Sequence, residues 1–308
     1  MQTNQTPLTL STPAASDSKL RLKGDLLLLL TAIIWGSAFV VQRVAAPSAG
    51  VFLFNGTRFL LAAIVLLPLT RLQWKLNRQQ LGWAALAGTL LFVASALQQA
   101  GLMTTSAGNA GFITGLYVVI VPLLMVVLWK ERLRWNAWVA AVLAAVGIFY
   151  LSAGGSLQLA RGDALELVGA FVWALHVMLL GRVAKRVNLV QFSAAQFLAC
   201  GLLHLSAGFL LEQARWQAIL DSGWAIAYTG IFSVGVGFTL QVFGQRYAPP
   251  NDAALILSLE AVCAALGGFI FLEERFVGVQ WLGCFLVLAA ILLAQLPPDF
   301  RFPWRANR

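Results

Sequence analysis

The chain has 308 residues, 60% hydrophobic and 11% charged, with a mean hydropathy of +0.81. That balance excludes a soluble globular domain and leaves an integral membrane protein. A net charge of +9 would suit a nucleic-acid partner, but the cations gather on one side of the expected bundle, which excludes that reading.

Residues 1–23 are polar and rich in Ser and Thr, and are expected to form a disordered tail. The apolar run that follows is too long for a cleaved leader, and it carries Gln42 and Arg43 where a cleavage region is small and neutral. From there the chain holds ten apolar stretches of about 20 residues, the length a helix needs to cross the hydrocarbon. They cover 24–46, 50–70, 80–101, 107–129, 135–154, 162–183, 189–212, 222–245, 249–272 and 277–296. The runs are continuous rather than alternating, which excludes a barrel. In lipid, a helical bundle is then what satisfies the backbone. The loops are short, and a polar tail is expected at 297–308.

Polar groups inside these spans are costly, so they mark candidate sites. On the first span Trp35, Phe39 and Gln42 follow i, i+4, i+7, a stripe that suits a polar cavity. Arg43 and Arg58 lie near span ends and are expected to snorkel to the interface. Gln98 on the third span adds an amide. Asn109 and Tyr117 stand on the fourth, where Asn109 reads first as an N-cap. Pro68 and Pro122 are candidate kinks. The fifth and tenth spans carry almost no polar side chains and are placed at the periphery, where they could support a homodimer contact. Trp138 and Trp281 begin them as interfacial anchors. On the sixth span Trp173 and His176 share a face; the His either offers a donor to a ligand or bonds a neighbouring helix. His204 on the seventh span is read as packing. Phe238, Gln241 and Gln245 follow i, i+3, i+7 on the eighth. On the ninth, Asp252 reads as an N-cap and Glu260 is the deepest acid. Glu260 either meets the amine of a zwitterion or carries a proton, or else it caps a broken helix or pairs with an internal Arg and so holds the bundle together. Cys200, Cys263 and Cys284 are unclustered, so neither a disulfide framework nor a metal site is expected, and no cofactor is implied.

The two halves of the chain resemble each other. GDLLLLLTAIIWG from Gly24 matches GDALELVGAFVWA from Gly162, which pairs Trp35 with Trp173 at an offset of 138. SAGNAGFITGLY, 106–117, matches PPNDAALILSLE, 249–260, at an offset of 143, which pairs Asn109 with Asp252 and Tyr117 with Glu260. Gln98 pairs with Gln241, Glu131 with Glu274, and Trp138 with Trp281. The first repeat is 24–154, the linker 155–161 and the second repeat 162–296. A five-span unit repeated once enters the membrane from opposite sides, so the fold class is all-α with two inverted five-helix repeats. Of the 21 Lys and Arg residues, sixteen fall on the side of the termini. Arg161, Arg215 and Arg275 fall opposite, and Arg43 and Arg58 lie within spans. The positive-inside rule then puts both termini in the cytoplasm of a multi-pass inner-membrane protein.

The runs WGSAF at 35–39, SAGNAGFITGLYVVIVPL at 106–123 and APPNDAALILSLE at 248–260 carry a family resemblance, as do the acids Glu131 and Glu274. Over about residues 24–296 the chain resembles the drug/metabolite transporter superfamily, in its EamA-type branch. One departure stands out: Ala261 occupies a position after the ninth-span Glu where the family often has Pro, which puts the break of that helix in doubt. The resemblance implies a transporter of small metabolites, often an exporter of amino acids. The aromatic interior looks like that of exporters of aromatic amino acids, methionine and threonine. Members that carry nucleotide sugars or sugar phosphates need a basic cavity, for which this chain offers Arg43 and Arg58 alone.

The expected mechanism is alternating access around a cavity lined by Trp35, Gln42, Gln98, Asn109, Tyr117, Trp173, His176, Phe238, Gln241 and Glu260. Aromatic faces would hold an apolar solute and the amides would orient its charged end. A polytopic enzyme would need a nucleophile, paired acids or metal ligands at the surface; no HExxH or Cys-rich motif is present, so no catalytic residue is assigned. A channel would need a continuous polar lining, which these sparse groups do not supply.

Overall fold

A computed structural model describes residues 15–70, 74–153, 161–213, 216–272 and 278–294. Among the described residues every regular element is helical. Eight helical runs are long and apolar enough to cross a membrane, and two shorter apolar helices complete the ten-helix, two-repeat plan. The first repeat holds α1 (Ala15–Ala49), α2 (Phe52–Leu66), α3 (Arg78–Gly101), α4 (Ala107–Gly115) with α5 (Tyr117–Trp129), and α6 (Trp135–Ala153). The second opens with α7 (Arg161–Val183) and α8 (Leu189–Leu211). It continues through the short α9 (Trp216–Asp221) into an eighth span of α10 (Gly223–Tyr228), a π-helix (Thr229–Phe238) and α11 (Thr239–Gln245). It ends with α12 (Pro250–Leu257), α13 (Leu259–Phe271) and α14 (Gly278–Ala294).

Several expectations change. The helix α1 starts at Ala15 rather than at 24, because 15–23 contains no Gly or Pro to stop it and Arg21 is tied to Asp252 by an ion pair. The remaining tail residues 1–14, the linker at 155–160 and the tail at 297–308 lie outside the described residues, as does Glu274. Pro68 does not kink a helix: α2 ends at Leu66, and Pro68 opens a short 3-10 turn. Pro122 sits inside α5, in its second turn. Asp252 is not an N-cap. Pro249 holds that position, with Pro250 at the first helical residue. The cap of α4 is Ser106, which accepts from the amide of Asn109.

The fourth and ninth spans are each broken once, at Leu116 (φ −60°, ψ −14°) and Ser258 (φ −61°, ψ −13°). Both angles tighten the helix toward 3-10 geometry. The ninth span breaks with Ala261 in place, so the break does not depend on a proline.

The repeats interlock rather than sit side by side. The helix α1 packs on α11 and α13, α2 on α8, and α3 on α7 and α8. The helices α6 and α14 run against each other, and they approach closely at Gly147, where a Cβ would stand 2.8 Å from that of Leu286. Small residues make such contact available where no hydrophobic force drives helices together. Three pairs of repeat counterparts touch. Trp35 and Trp173 lie 6.5 Å apart between ring centroids, Phe59 and Phe197 6.3 Å apart, and the Tyr117 hydroxyl donates to Glu260 at 2.8 Å. A residue that meets its own counterpart lies on the axis relating the two halves, so that axis runs through the middle of the bundle.

Candidate functional site

The central cavity lies on this axis. Its volume is about 30 Å³. That is room for a few waters, so the cavity is narrow in this conformation. The first span supplies Trp35, Phe39 and Gln42, the stripe read from the sequence. The α3 helix supplies Gln98 from its last turn, and α11 supplies Gln241. These amides are repeat counterparts, and the inverted repeat sets them toward opposite ends of the space. The breaks in the fourth and ninth spans deliver Tyr117 and Glu260, each within two residues of its break. Trp173 and Val177 on α7 complete the wall with Phe238.

The aromatic side of the cavity is one cluster. Phe238 packs 4.5 Å from Trp35 and is stacked on Trp173 at 5.7 Å. The position of Trp35 is fixed by two features of the eighth span. Its indole N–H donates to the Ser233 carbonyl at 3.1 Å, inside the π-helix, and a Cβ at Gly237 would fall 2.6 Å from the same nitrogen. The π-helix thus turns a backbone carbonyl toward a cavity side chain, a common use of such segments.

Eight of the ten candidate residues line this space. Asn109 and His176 do not. Asn109 is half-buried in the first turn of α4. His176 is buried behind the aromatic wall, edge-on to both Trp173 and Phe238, with Nε2 3.2 Å from Gln196 Oε1. This matches the alternative in which the His bonds a neighbouring helix. His204 also packs: its Nε2 is 2.9 Å from Ser95 Oγ and its ring sits among Phe52, Phe59 and Phe92.

The sequence reading missed three things. Arg58 does not snorkel. It is 4% exposed, lines the cavity, and its guanidinium carbon stands 5.4 Å from the ring centroids of both Phe54 and Phe59. Its seventh place in α2 was the available signal, because a side chain that far inside a span turns toward its neighbours as readily as to the interface. Arg43 does not snorkel either; it donates to the Leu102 carbonyl at 2.6 Å. Finally, Asp163 and Glu166 are buried in the first two turns of α7, where they accept from Thr105 at 2.6 Å and from Thr114 at 3.1 Å. Thr114 itself lines the cavity.

A second, wider pocket opens at the end of the bundle where α5, α7 and α11 finish. It is lined by Trp129, Glu131, Arg182, Lys185 and Gln245, with Arg182 stacked 3.5 Å over Trp129. Gln245 of this pocket donates to the carbonyl of Val177, a residue of the central cavity, at 2.8 Å. On this face Arg21 of α1 and Asp252 of α12 join the two repeats.

A two-repeat helical membrane bundle with a polar-aromatic cavity on its pseudo-twofold axis is the architecture of a secondary transporter. The EamA-like transporter family matches residues 22–153 and 160–296, one match for each repeat, and the chain belongs to that family. An uncharacterized transporter of Archaeoglobus fulgidus is 32% identical over 281 residues, 90% of this chain and 87% of the relative. The uncharacterized inner membrane transporter YedA of Escherichia coli K12 is 28% identical over 274 residues, 86% of this chain and 88% of the relative. A solved crystal structure, 20% identical, superposes with a TM-score of 0.72 over 90% of this chain and 96% of that one; at this identity the likeness concerns the fold.

Proposed function

We propose that this transporter carries small zwitterionic or amphipathic solutes, amino acids with aromatic or other apolar side chains above all, by alternating access of its two repeats. The observation that carries the reading is the cavity itself: three rings, Trp35, Trp173 and Phe238, share it with three amides, Gln42, Gln98 and Gln241, and the Tyr117–Glu260 pair. The space is narrow in this conformation, about 30 Å³, so the walls must part to seat a solute. A buried aromatic side chain would gain roughly 25 cal/mol per Å² of apolar area, and Glu260 with the amides would orient the ammonium end. A multiply anionic nucleotide sugar would meet one cation here, Arg58, in a cavity that also holds the Glu260 carboxyl group. We infer an inner-membrane location, supported by the apolar helices and the likeness to YedA, and cytoplasmic termini, supported by the cation asymmetry of the sequence. Outward-facing apolar residues of α6 and α14, such as Val142 and Phe285, suit lipid or a second copy equally.

The test is counterflow in proteoliposomes loaded with L-tryptophan, L-phenylalanine, L-leucine, a sugar phosphate or a nucleotide sugar. Saturable exchange of the amino acids is expected. The Glu260→Gln variant should lose at least about tenfold in exchange, the scale of one charge-assisted hydrogen bond. Exchange of the phosphorylated solutes without the amino acids would overturn the reading.

A further inference from the structure

We propose that Arg58 is the seat for the carboxylate of the transported solute, opposite an ammonium seat at Glu260; the inference rests on the amino-acid reading and makes it specific. Arg58 is 4% exposed and lines the cavity. Its Nε has no hydrogen-bond partner within the protein, and no acid among the described residues lies within ion-pair distance of it. A guanidinium inside a membrane bundle ordinarily pairs with an acid or with backbone carbonyls, because an unpaired buried charge is expensive. Here the faces of Phe54 and Phe59 hold it by cation–π contact. That contact fixes its direction but leaves its forked donors, whose geometry matches a carboxylate, without an anion.

The repeat explains why the charge is single. At the offset of 138 that pairs Trp35 with Trp173 and Phe59 with Phe197, the counterpart of Arg58 is Gln196, a buried neutral amide already engaged with His176. At the offset of 143 the counterpart of Glu260 is Tyr117, again neutral. Among the lining residues the first repeat therefore supplies the one basic side chain and the second the one carboxyl group, with the Trp35, Trp173 and Phe238 rings in the same space. Pseudosymmetry is broken twice, in opposite senses, and the result is a cavity with a positive and a negative seat. A solute that carries both charges and an apolar side chain is complementary to it.

The probes are L-tryptophan, L-tryptophan amide, indole-3-propionate and tryptamine, scored by their concentration for half-maximal thermal stabilisation of the full chain in detergent. Wild-type protein is expected to prefer the two carboxylates over the amide and the amine by at least tenfold. Arg58→Gln should erase that preference, and Arg58→Lys, which keeps the charge without the fork, should keep part of it. Equal binding of tryptophan and its amide by the wild type, or an unchanged preference in Arg58→Gln, would overturn the seat while leaving amino-acid transport standing. Binding of indole-3-propionate but not tryptophan would keep the seat and overturn the zwitterion reading. No binding by any of the four would overturn both. If Arg58→Gln does not fold, the Arg58→Lys variant decides: a preference undiminished from wild type overturns the fork argument.

Discussion

At the scale of single residues, cavity geometry turns on contacts between side chains and backbone. Trp35 is held by a carbonyl of the π-helix and accommodated by the missing side chain at Gly237. A methyl group 2.6 Å from the indole nitrogen cannot be absorbed by a ring pinned between Phe238 and Trp173. Gly237→Ala is expected to push Trp35 from its place and cut solute exchange at least tenfold while the protein still inserts and purifies. Exchange at the wild-type rate would show that Trp35 moves without consequence. The i, i+4, i+7 stripe on the first span was legible because helical spacing fixes a shared face. The placement of Arg58 was not, because periodicity says which side of a helix a residue occupies but not which neighbour covers it. The same limit applies to His176: sharing a face with Trp173 did not decide whether the imidazole points into the cavity or behind its wall.

At the scale of elements, helix ends and breaks position the site. The helix α2, which carries Arg58 and Phe59, begins at a cap built by the distant Glu212. Its two carboxylate oxygens accept from the amides of Val51 at 2.6 Å and of Phe52 and Leu53 at 2.9 Å. Gly50 precedes them at φ +72°, a left-handed turn that glycine adopts freely, and the carboxyl group lies 3.1 Å from where its Cβ would stand. An anion satisfying three free N–H groups at a helix start combines capping with the dipole. Glu212→Ala should therefore cost about 1–2 kcal/mol and lower the melting temperature in detergent by roughly 2–4 °C. An unchanged melting curve would show that solvent replaces the cap at no cost. Helix existence was readable from hydropathy across all ten spans, since twenty apolar residues have few alternatives in lipid. The π-helix in the eighth span and the break at Leu116 were not, and a break in the ninth span was suggested only by the family resemblance. They lie at Gly-rich or Ser-containing positions whose local propensities do not distinguish a π turn or a 3-10 turn from an α turn.

At the scale of the whole molecule, the inverted repeat is both what the sequence disclosed most fully and what function depends on. Three counterpart pairs in contact require an axis through the centre, and the proposed alternating access would open the cavity on that axis to either face by moving one half against the other. The proposed orientation in the membrane rests on charge: with ten spans, sixteen of the 21 Lys and Arg residues of the sequence are expected on the side of the termini and three opposite. This predicts a labelling pattern. With Cys200, Cys263 and Cys284 replaced by Ser, single cysteines are placed at Lys19 and Arg186 on the terminal face, and at Met103 and Gln217 on the other. An impermeant maleimide applied to intact spheroplasts should modify the cysteines at 103 and 217 at once and those at 19 and 186 only after lysis. Labelling of 19 and 186 alone would keep the inversion and reverse the orientation. Labelling of 19 together with 103 would mean an even number of crossings between them, which an inverted pair of five-helix units does not permit.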